Sequence, residues 1–383
     1  MITLDADSVL LPEYSLLLVN EMLRPGNEKL AVLQTPYNSF PNGKELLERV
    51  AGATTDIQYL IHQGFTQFNG TYWVGANAML RPEALHHIKE EIEERGFRVP
   101  VFIQDRTVIE DTESTVDLVS KGWKLANYPE RLAYSATPPD FGSLLIQRQR
   151  WANGGLIILP KLIKYIFRQP YTLTIWIEGF FRVHYLASIA ALNIGMVIVL
   201  GHYFESSIES TWLLITAALP YFYLYARDLR YNGYPMSDVI RVYALNLLLI
   251  PINLSGVAKS IQQGFSGQRI PFVRTPKVLG RTSAPLFFVL AEYGLLGWWI
   301  VGFGIDITHE RWMSAVFAFL NASLLSYAIV RFIGLRESWE DICLALPFLQ
   351  FKFKNSKKSS ITQISDKQSV YTAKPCIRKI NER

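Results

Sequence analysis

The chain has 383 residues, of which 50% are hydrophobic, 13% aromatic and 19% charged, with a mean hydropathy of +0.14. That is too apolar for an ordinary soluble enzyme and too polar for a bundle of membrane helices alone, so a water-facing part followed by several spans is expected. The net charge of +5 does not mark a nucleic-acid-binding face: residues 351–383 carry nine Lys or Arg against Asp366 and Glu382, which reads as a disordered basic tail on the cytoplasmic side.

Taken in order, residues 1–7 read as a strand closing on Asp5-Ala6-Asp7. Two carboxylates one residue apart at a strand end can share Mg²⁺ or Mn²⁺ with a diphosphate, since hard oxygen ligands suit those ions; a D-x-D alone is a weak signal and is far more often a solvated turn. Leu30–Pro36 reads as a second strand and residues 44–62 as a helix. Residues 73–80 form a strand interrupted by Gly75, where a ligand or another backbone can come close. Arg81-Pro82 opens a helix expected to run to Arg95 and to close on Gly96. Its adjacent His86 and His87 diverge around the helix and read as surface residues.

Ile109-Glu110-Asp111 ends an apolar stretch, and a helix follows to Gly122. Asp111 then stands at or near a helix N-cap, as a cap or as a general base facing a cleft. A strand over 123–127 follows. Asp140 caps a helix that carries Gln147-Arg148-Gln149-Arg150-Trp151, on which Gln147, Arg150 and Trp151 share one face. An amide, a guanidinium and an indole on one face suit a sugar ring; the pentapeptide alone fits equally a surface Arg beside a core Trp. Strands alternating with helices make residues 1–152 an α/β domain.

Residues 153–350 form the membrane part. The stretch 156–169, flanked by Lys161, Lys164 and Arg168, suits an interfacial helix. Spans are expected at 183–204, 208–227, 284–305 and 311–333. A further apolar stretch at 238–258 holds Arg241, Asn246, Pro251 and Asn253 and is expected to lie flat or re-enter, which keeps the loop 262–282, the α/β domain and the tail on the cytoplasmic side, as the Lys/Arg distribution also requires. Glu292 falls inside a span and should line a water-filled path or pair with another helix.

The order D-x-D, E-D, Q-x-x-R-W, then spans, resembles the processive family 2 glycosyltransferases, which include cellulose and hyaluronan synthases. The resemblance implies a partial, Rossmann-like GT-A domain followed by an α-helical membrane domain. By it, Asp5 and Asp7 bind nucleotide-sugar diphosphate and the metal ion, Mg²⁺ or Mn²⁺. Gln34-Thr35-Pro36 matches the Q-T-P turn. Val74-Gly75-Ala76-Asn77 is similar to the segment at the acceptor end of the cleft, assigning Gly75 and Asn77 to acceptor binding; the family usually has Phe-Cys-Gly there. Asp111 becomes the catalytic base of a T-E-D motif in which Ile109 replaces Thr. Gln147, Arg150 and Trp151 bind the acceptor terminus. Phe272, Thr275 and Lys277 resemble the gating loop of cellulose synthases, with Arg274 in place of a Val. An earlier Asp motif and leading membrane helices of the family have no counterpart in residues 1–383, so the expectation is an N-terminally shortened synthase.

The implied partners are a UDP-sugar, with UDP-glucose favoured by the gating-loop match, a growing β-linked polysaccharide, the bilayer of the plasma (inner) membrane, and subunits of an export complex; nucleic acid is not among them. Two other functions fit parts of the pattern. A non-processive lipid-linked sugar transferase shares D-x-D without needing Q-x-x-R-W, and an inactive membrane subunit of an export complex needs neither.

Overall fold

The computed structural model describes residues 1–40, 43, 45–103, 106–202, 208–266 and 280–346. The expected gating residues Phe272, Thr275 and Lys277 and the tail 351–383 lie outside the described residues.

In chain order the elements are β1 (Ile2–Leu4), β2 (Ser8–Leu10), α1 (Tyr14–Met22), β3 (Leu30–Gln34), α2 (Leu46–Gly64), β4 (Asn77–Leu80), α3 (Pro82–His87), β5 (Glu90–Glu94), β6 (Phe97–Val101), α4 (Glu110–Ser120), β7 (Lys124–Asn127), β8 (Ala133–Ser135), α5 (Phe141–Ile166), α6 (Leu173–His202), α7 (Ile208–Tyr231), α8 (Asp238–Ser266), α9 (Leu286–Thr308), α10 (Trp312–Ala328) and α11 (Leu335–Ala345). A mixed sheet of order β1-β4-β3-β7 forms the centre of the N-terminal domain, with β4 antiparallel to β1 and β3, and β3 parallel to β7. All five residues of β3 are buried, as expected for an unalternating Leu-Ala-Val-Leu-Gln run covered on both faces. Ala31 and Val32 pack with Leu80, Leu118 and Trp123 in one cluster. Leu30 and Leu33 pack with Tyr14 and Leu18 of α1 in another.

The helix expected over 82–95 stops at His87. Residues 90–101 instead form a hairpin pairing Glu90 with Val101 and Glu94 with Phe97. Arg95 and Gly96 sit between the strands at φ 53° and 83°, the two positive values of a type I′ turn, which gives Gly96 a hairpin role instead of a helix-ending one.

α5 is one continuous helix of 26 residues, so the stretch 156–169 extends the helix bearing Gln147–Trp151. It is the contact between the two halves of the chain. Leu144 and Leu145 of α5 share a core with Val50 of α2, Leu245 and Leu248 of α8, and Trp299 of α9. The crossing with α8 is close because Gly256 leaves room for it: a Cβ there would fall 2.6 Å from the Gln149 carbonyl oxygen.

Among the described residues, four helical stretches are long and apolar enough to cross a membrane by length and composition: Leu173–Ile198, Asp238–Ser266, Leu286–Thr308 and Trp312–Ile333. The chain is accordingly a membrane protein. Three of these fall on expected spans, and the expected span 208–227 lies within α7. The remaining one is α8, a single 29-residue helix over the stretch read as flat or re-entrant. Its polar end is internally matched: fully buried Asp238 pairs with Arg241 and, at 3.2 Å, with Arg49 of α2. Glu292 of α9 is fully buried, and its carboxyl oxygens hydrogen-bond to no described residue.

Candidate active site

The sheet's C-terminal loops assemble the site around Gly75. Gln34, buried at the end of β3, donates to the Tyr72 carbonyl (2.7 Å) and to Asn127 Oδ1 (2.9 Å) and accepts from Val74 N (3.1 Å). This one amide therefore fixes the extended segment 72–74, which precedes β4, against β3; the strand expected over 73–80 begins only at Asn77. α4 is pinned to the same segment: Thr115 Oγ1 accepts from Trp73 N at 2.9 Å. Asp5 N donates to Ala76 O at 3.1 Å, so the D-x-D turn and α4 meet at Gly75-Ala76.

Gly75 has φ +76°, and a Cβ built there would stand 2.6 Å from Asp111 Oδ2. The α4 helix begins at Glu110, with Ile109 as N-cap. Asp111 is thus the second helical residue, not the cap. Its Oδ1 accepts from Thr112 N at 2.6 Å. Ile109 packs into the notch left by Gly154 of α5, where a Cβ would lie 2.2 Å from the Ile109 side chain. The Thr-to-Ile departure in the E-D motif thereby serves the docking of α4 on α5.

Asp111 keeps part of its surface accessible, yet enclosure by protein pushes its carboxyl up to about 7. Desolvation is the main cause and the Glu110 charge adds to it, while the Thr112 N–H and Arg150 act in the opposite direction. A carboxyl poised near neutrality and open to a cleft is suited to proton transfer.

Asp5 is exposed and Asp7 half-buried. Tyr37, buried between them and the domain interior, has its phenol pushed up by burial, then by Asp7 and Asp5. Tyr37 stacks on Tyr59 at 5.3 Å, and Tyr59 in turn lies in the field of Asp111. The aromatic pair is the floor between D-x-D and the base candidate. Among the described residues no group of three or more His, Cys, Asp or Glu forms a metal cage. Two adjacent carboxylates on an open turn fit an ion such as Mg²⁺ that keeps waters and takes substrate phosphates as its other ligands.

On α5, Gln147, Arg150 and Trp151 are half-buried on one face, and Arg150 lies in the field of Asp111. The two residues between them, not singled out by the sequence reading, turn the other way. Arg148 reaches α2, and its guanidinium lies 4.6 Å from the centroid of the Trp151 ring. Gln149 bonds to Ser255 (2.7 Å) and Lys259 (2.8 Å) of α8. A helical wheel puts Gln149 opposite the sugar-suited face and Arg148 at its edge, three residues before Trp151, which is the signal that could have found them.

Asn77 departs from the expectation. It is fully buried, and its amide is committed to Thr35 N (3.1 Å), Thr35 Oγ1 (2.9 Å) and Tyr14 Oη (3.1 Å). It locks β4 to the Q-T-P turn, leaving Gly75 as the member of that segment that reaches the cleft.

A family model described as glycosyl transferase family group 2 matches residues 1–226, which takes in Asp5, Asp7, Asp111 and all of α5. No curated protein matches the chain.

Proposed function

The chain belongs to glycosyl transferase family group 2, and from that premise we propose that it is an inverting transferase that moves a sugar from a UDP-sugar, UDP-glucose first, to the end of a growing β-linked polysaccharide. Family membership makes it a glycosyltransferase with a nucleotide-sugar donor and an acceptor. The observation that carries the finer reading is the position of Asp111, held against Gly75 between the D-x-D turn and the helix of Gln147, Arg150 and Trp151.

Asp111 accepts the proton of the acceptor hydroxyl as that oxygen forms its bond to the anomeric carbon. The bond from that carbon to the diphosphate oxygen breaks, and its electron pair leaves with UDP. Asp5 and Asp7 would hold a divalent cation, Mg²⁺ or Mn²⁺, which would bring in the diphosphate end of the donor and offset charge on the leaving group. Arg150 keeps positive charge beside Asp111. Gln147 and Trp151 hold the acceptor ring so that its hydroxyl faces the donor, which is catalysis by positioning. The α/β domain and the tail face the cytoplasm of the plasma (inner) membrane, and the polymer passes outward among the helices, with export subunits as partners. Phe272, Thr275 and Lys277 gate the donor cleft in this reading.

One observation favours a second reading, transfer of one sugar to a lipid-linked acceptor. An apolar cavity of about 650 Å³ lies between α6, α8 and α9, lined by Val197, Pro251, Leu254, Phe287 and Trp298 among others. Its Ser255 is the partner of Gln149 on the acceptor helix. The test is incubation of membranes containing the full chain with radiolabelled UDP-glucose and Mn²⁺. Label in β-glucanase-sensitive polymer supports the first reading, label in an organic-soluble lipid supports the second, and no UDP release above that of Asp111→Asn membranes overturns both.

A further inference from the structure

Arg148 is the charged side chain of the α5 motif that points away from the cleft. It is 8% exposed. Its Nη2 donates to Ala51 O (3.3 Å), Thr54 Oγ1 (2.9 Å) and Thr55 Oγ1 (3.1 Å) of α2. Its described partners are a carbonyl, two hydroxyls and an aromatic ring, and none is a carboxylate. Burial lowers its pKa to about 10, so it stays charged at neutral pH. Burying a cation without a carboxylate is a poor way to gain stability, because an apolar side chain of similar volume would avoid the desolvation cost.

What the guanidinium gains is a position. It covers one face of the Trp151 indole at 4.6 Å, and the planar fork is anchored at its far end to α2, the helix that carries Tyr59. Trp151 itself remains partly exposed. A partly exposed indole held by a guanidinium on one face is a fixed platform for a sugar ring, and ordering it in advance removes that cost from binding.

We propose that Arg148 is a positioning residue for the acceptor: it references the Trp151 ring to α2 and so sets the plane on which the terminal sugar stacks. This rests on the acceptor reading of Trp151 and goes beyond it by assigning a role to a buried residue that touches no substrate. Replacement by Met keeps an unbranched apolar stem and removes the charged fork. Thr54→Val with Thr55→Val keeps Arg148 and removes two of its anchors.

The experiment measures, by calorimetry on the full chain in lipid nanodiscs, the affinity for a β-linked gluco-oligosaccharide (cellotetraose) and separately for UDP with Mn²⁺. Arg148→Met is expected to weaken cellotetraose by roughly 3- to 30-fold, the range of a partly desolvated cation–π contact, with UDP affinity unchanged. The Thr54/Thr55 pair should shift it the same way by a smaller factor. In a Trp151→Ala background, Arg148→Met should add nothing, because both changes remove one platform. Unchanged cellotetraose affinity, additive effects of the two substitutions, or an equal loss of UDP affinity overturns the proposal; an Arg148→Met chain that does not fold leaves the Thr54/Thr55 pair to decide. If the native chain does not bind cellotetraose, or Trp151→Ala binds it as well as the native chain, the acceptor reading itself falls, and the role of Arg148 with it.

Discussion

Gly75 and Asp111 share one space: the carboxylate oxygen of Asp111 stands 2.6 Å from where a side chain at position 75 would begin, and Gly75 holds φ at +76°. Gly75→Ala meets both constraints at once. The left-handed backbone costs about 1 kcal/mol or more for a residue with a Cβ, and the methyl displaces the carboxylate. The expected outcome is a fall in transfer rate of about tenfold or more, since a displacement of about 1 Å costs that much or more in aligned catalysis. UDP affinity should change far less, because the added methyl meets Asp111 and not Asp5 or Asp7. Transfer assays beside calorimetry with UDP separate the two.

The pH dependence follows from the same carboxyl. A base works deprotonated, so the acid limb of the rate profile should have its midpoint near the value of about 7 to which burial pushes Asp111. Glu110 raises it further. Glu110→Gln should therefore move the limb to lower pH with little change in the plateau, whereas Asp111→Asn should abolish transfer at every pH. Stability runs the other way. The folded pKa lies above the ordinary carboxylate value of 3.8, so this group's contribution is complete below about pH 4 and is lost as pH rises through about 7. At pH 8 the inactive Asp111→Asn protein should melt at a higher temperature than the native one, and at pH 4 the two should converge.

How far the sequence could be read depended on whether local pattern or tertiary contact decided the matter. β3 and β7 were legible because apolar runs between turn residues have few alternatives. Alternation points to an α/β domain but not to the antiparallel β4, and hydropathy finds the apolar helices but leaves α8 reading as flat or re-entrant. The helix expected over 82–95 failed because Glu-rich residues 90–94 have helix propensity, and only the paired positive φ values at Arg95 and Gly96 reveal the hairpin. Asn77 sits two residues from Gly75 on the same segment, but its burial depends on Thr35 and Tyr14, which are distant in sequence. Arg148 was hidden by position: inside a motif read for its cleft face, it answers to α2, about ninety residues upstream.

The start of α6 is tied to the α/β domain through Arg182, which a buried ion pair within α6 holds in place. Arg182 and Glu178 meet at 2.8 Å with side-chain exposures of 2% and 9%. Arg182 also donates to Asn69 O and, at 3.3 Å, to Thr71 O. Removing one partner of a buried pair leaves the other uncompensated, at a cost of roughly 3–5 kcal/mol. Arg182→Met should lower the melting temperature in detergent markedly and expose the 66–72 loop to limited proteolysis. A protein that resists cleavage there would show that α6 is held without Arg182, by ring contacts such as Phe68–Phe181 (4.4 Å) and Tyr72–Tyr185 (4.6 Å).

Asp140 joins α5 to the chain that leads into α9. Its Oδ1 caps α5 through Ser143 N at 2.8 Å, and its Oδ2 accepts from Thr282 N at 3.2 Å. The same segment is held from the other side, where Asp341 of α11 takes Arg281 (2.9 Å) and Ala284 N (3.0 Å). The two functions of Asp140 separate by substitution. Asn can keep the cap but not both contacts, whereas Ala loses both, and the cap alone is worth about 1 kcal/mol. Asp140→Ala should therefore be less stable than Asp140→Asn by about that amount in denaturant melts. Both should lose acceptor affinity to a similar degree if the Thr282 contact helps set the position of α5. Native acceptor affinity in Asp140→Asn would confine the residue to its capping role.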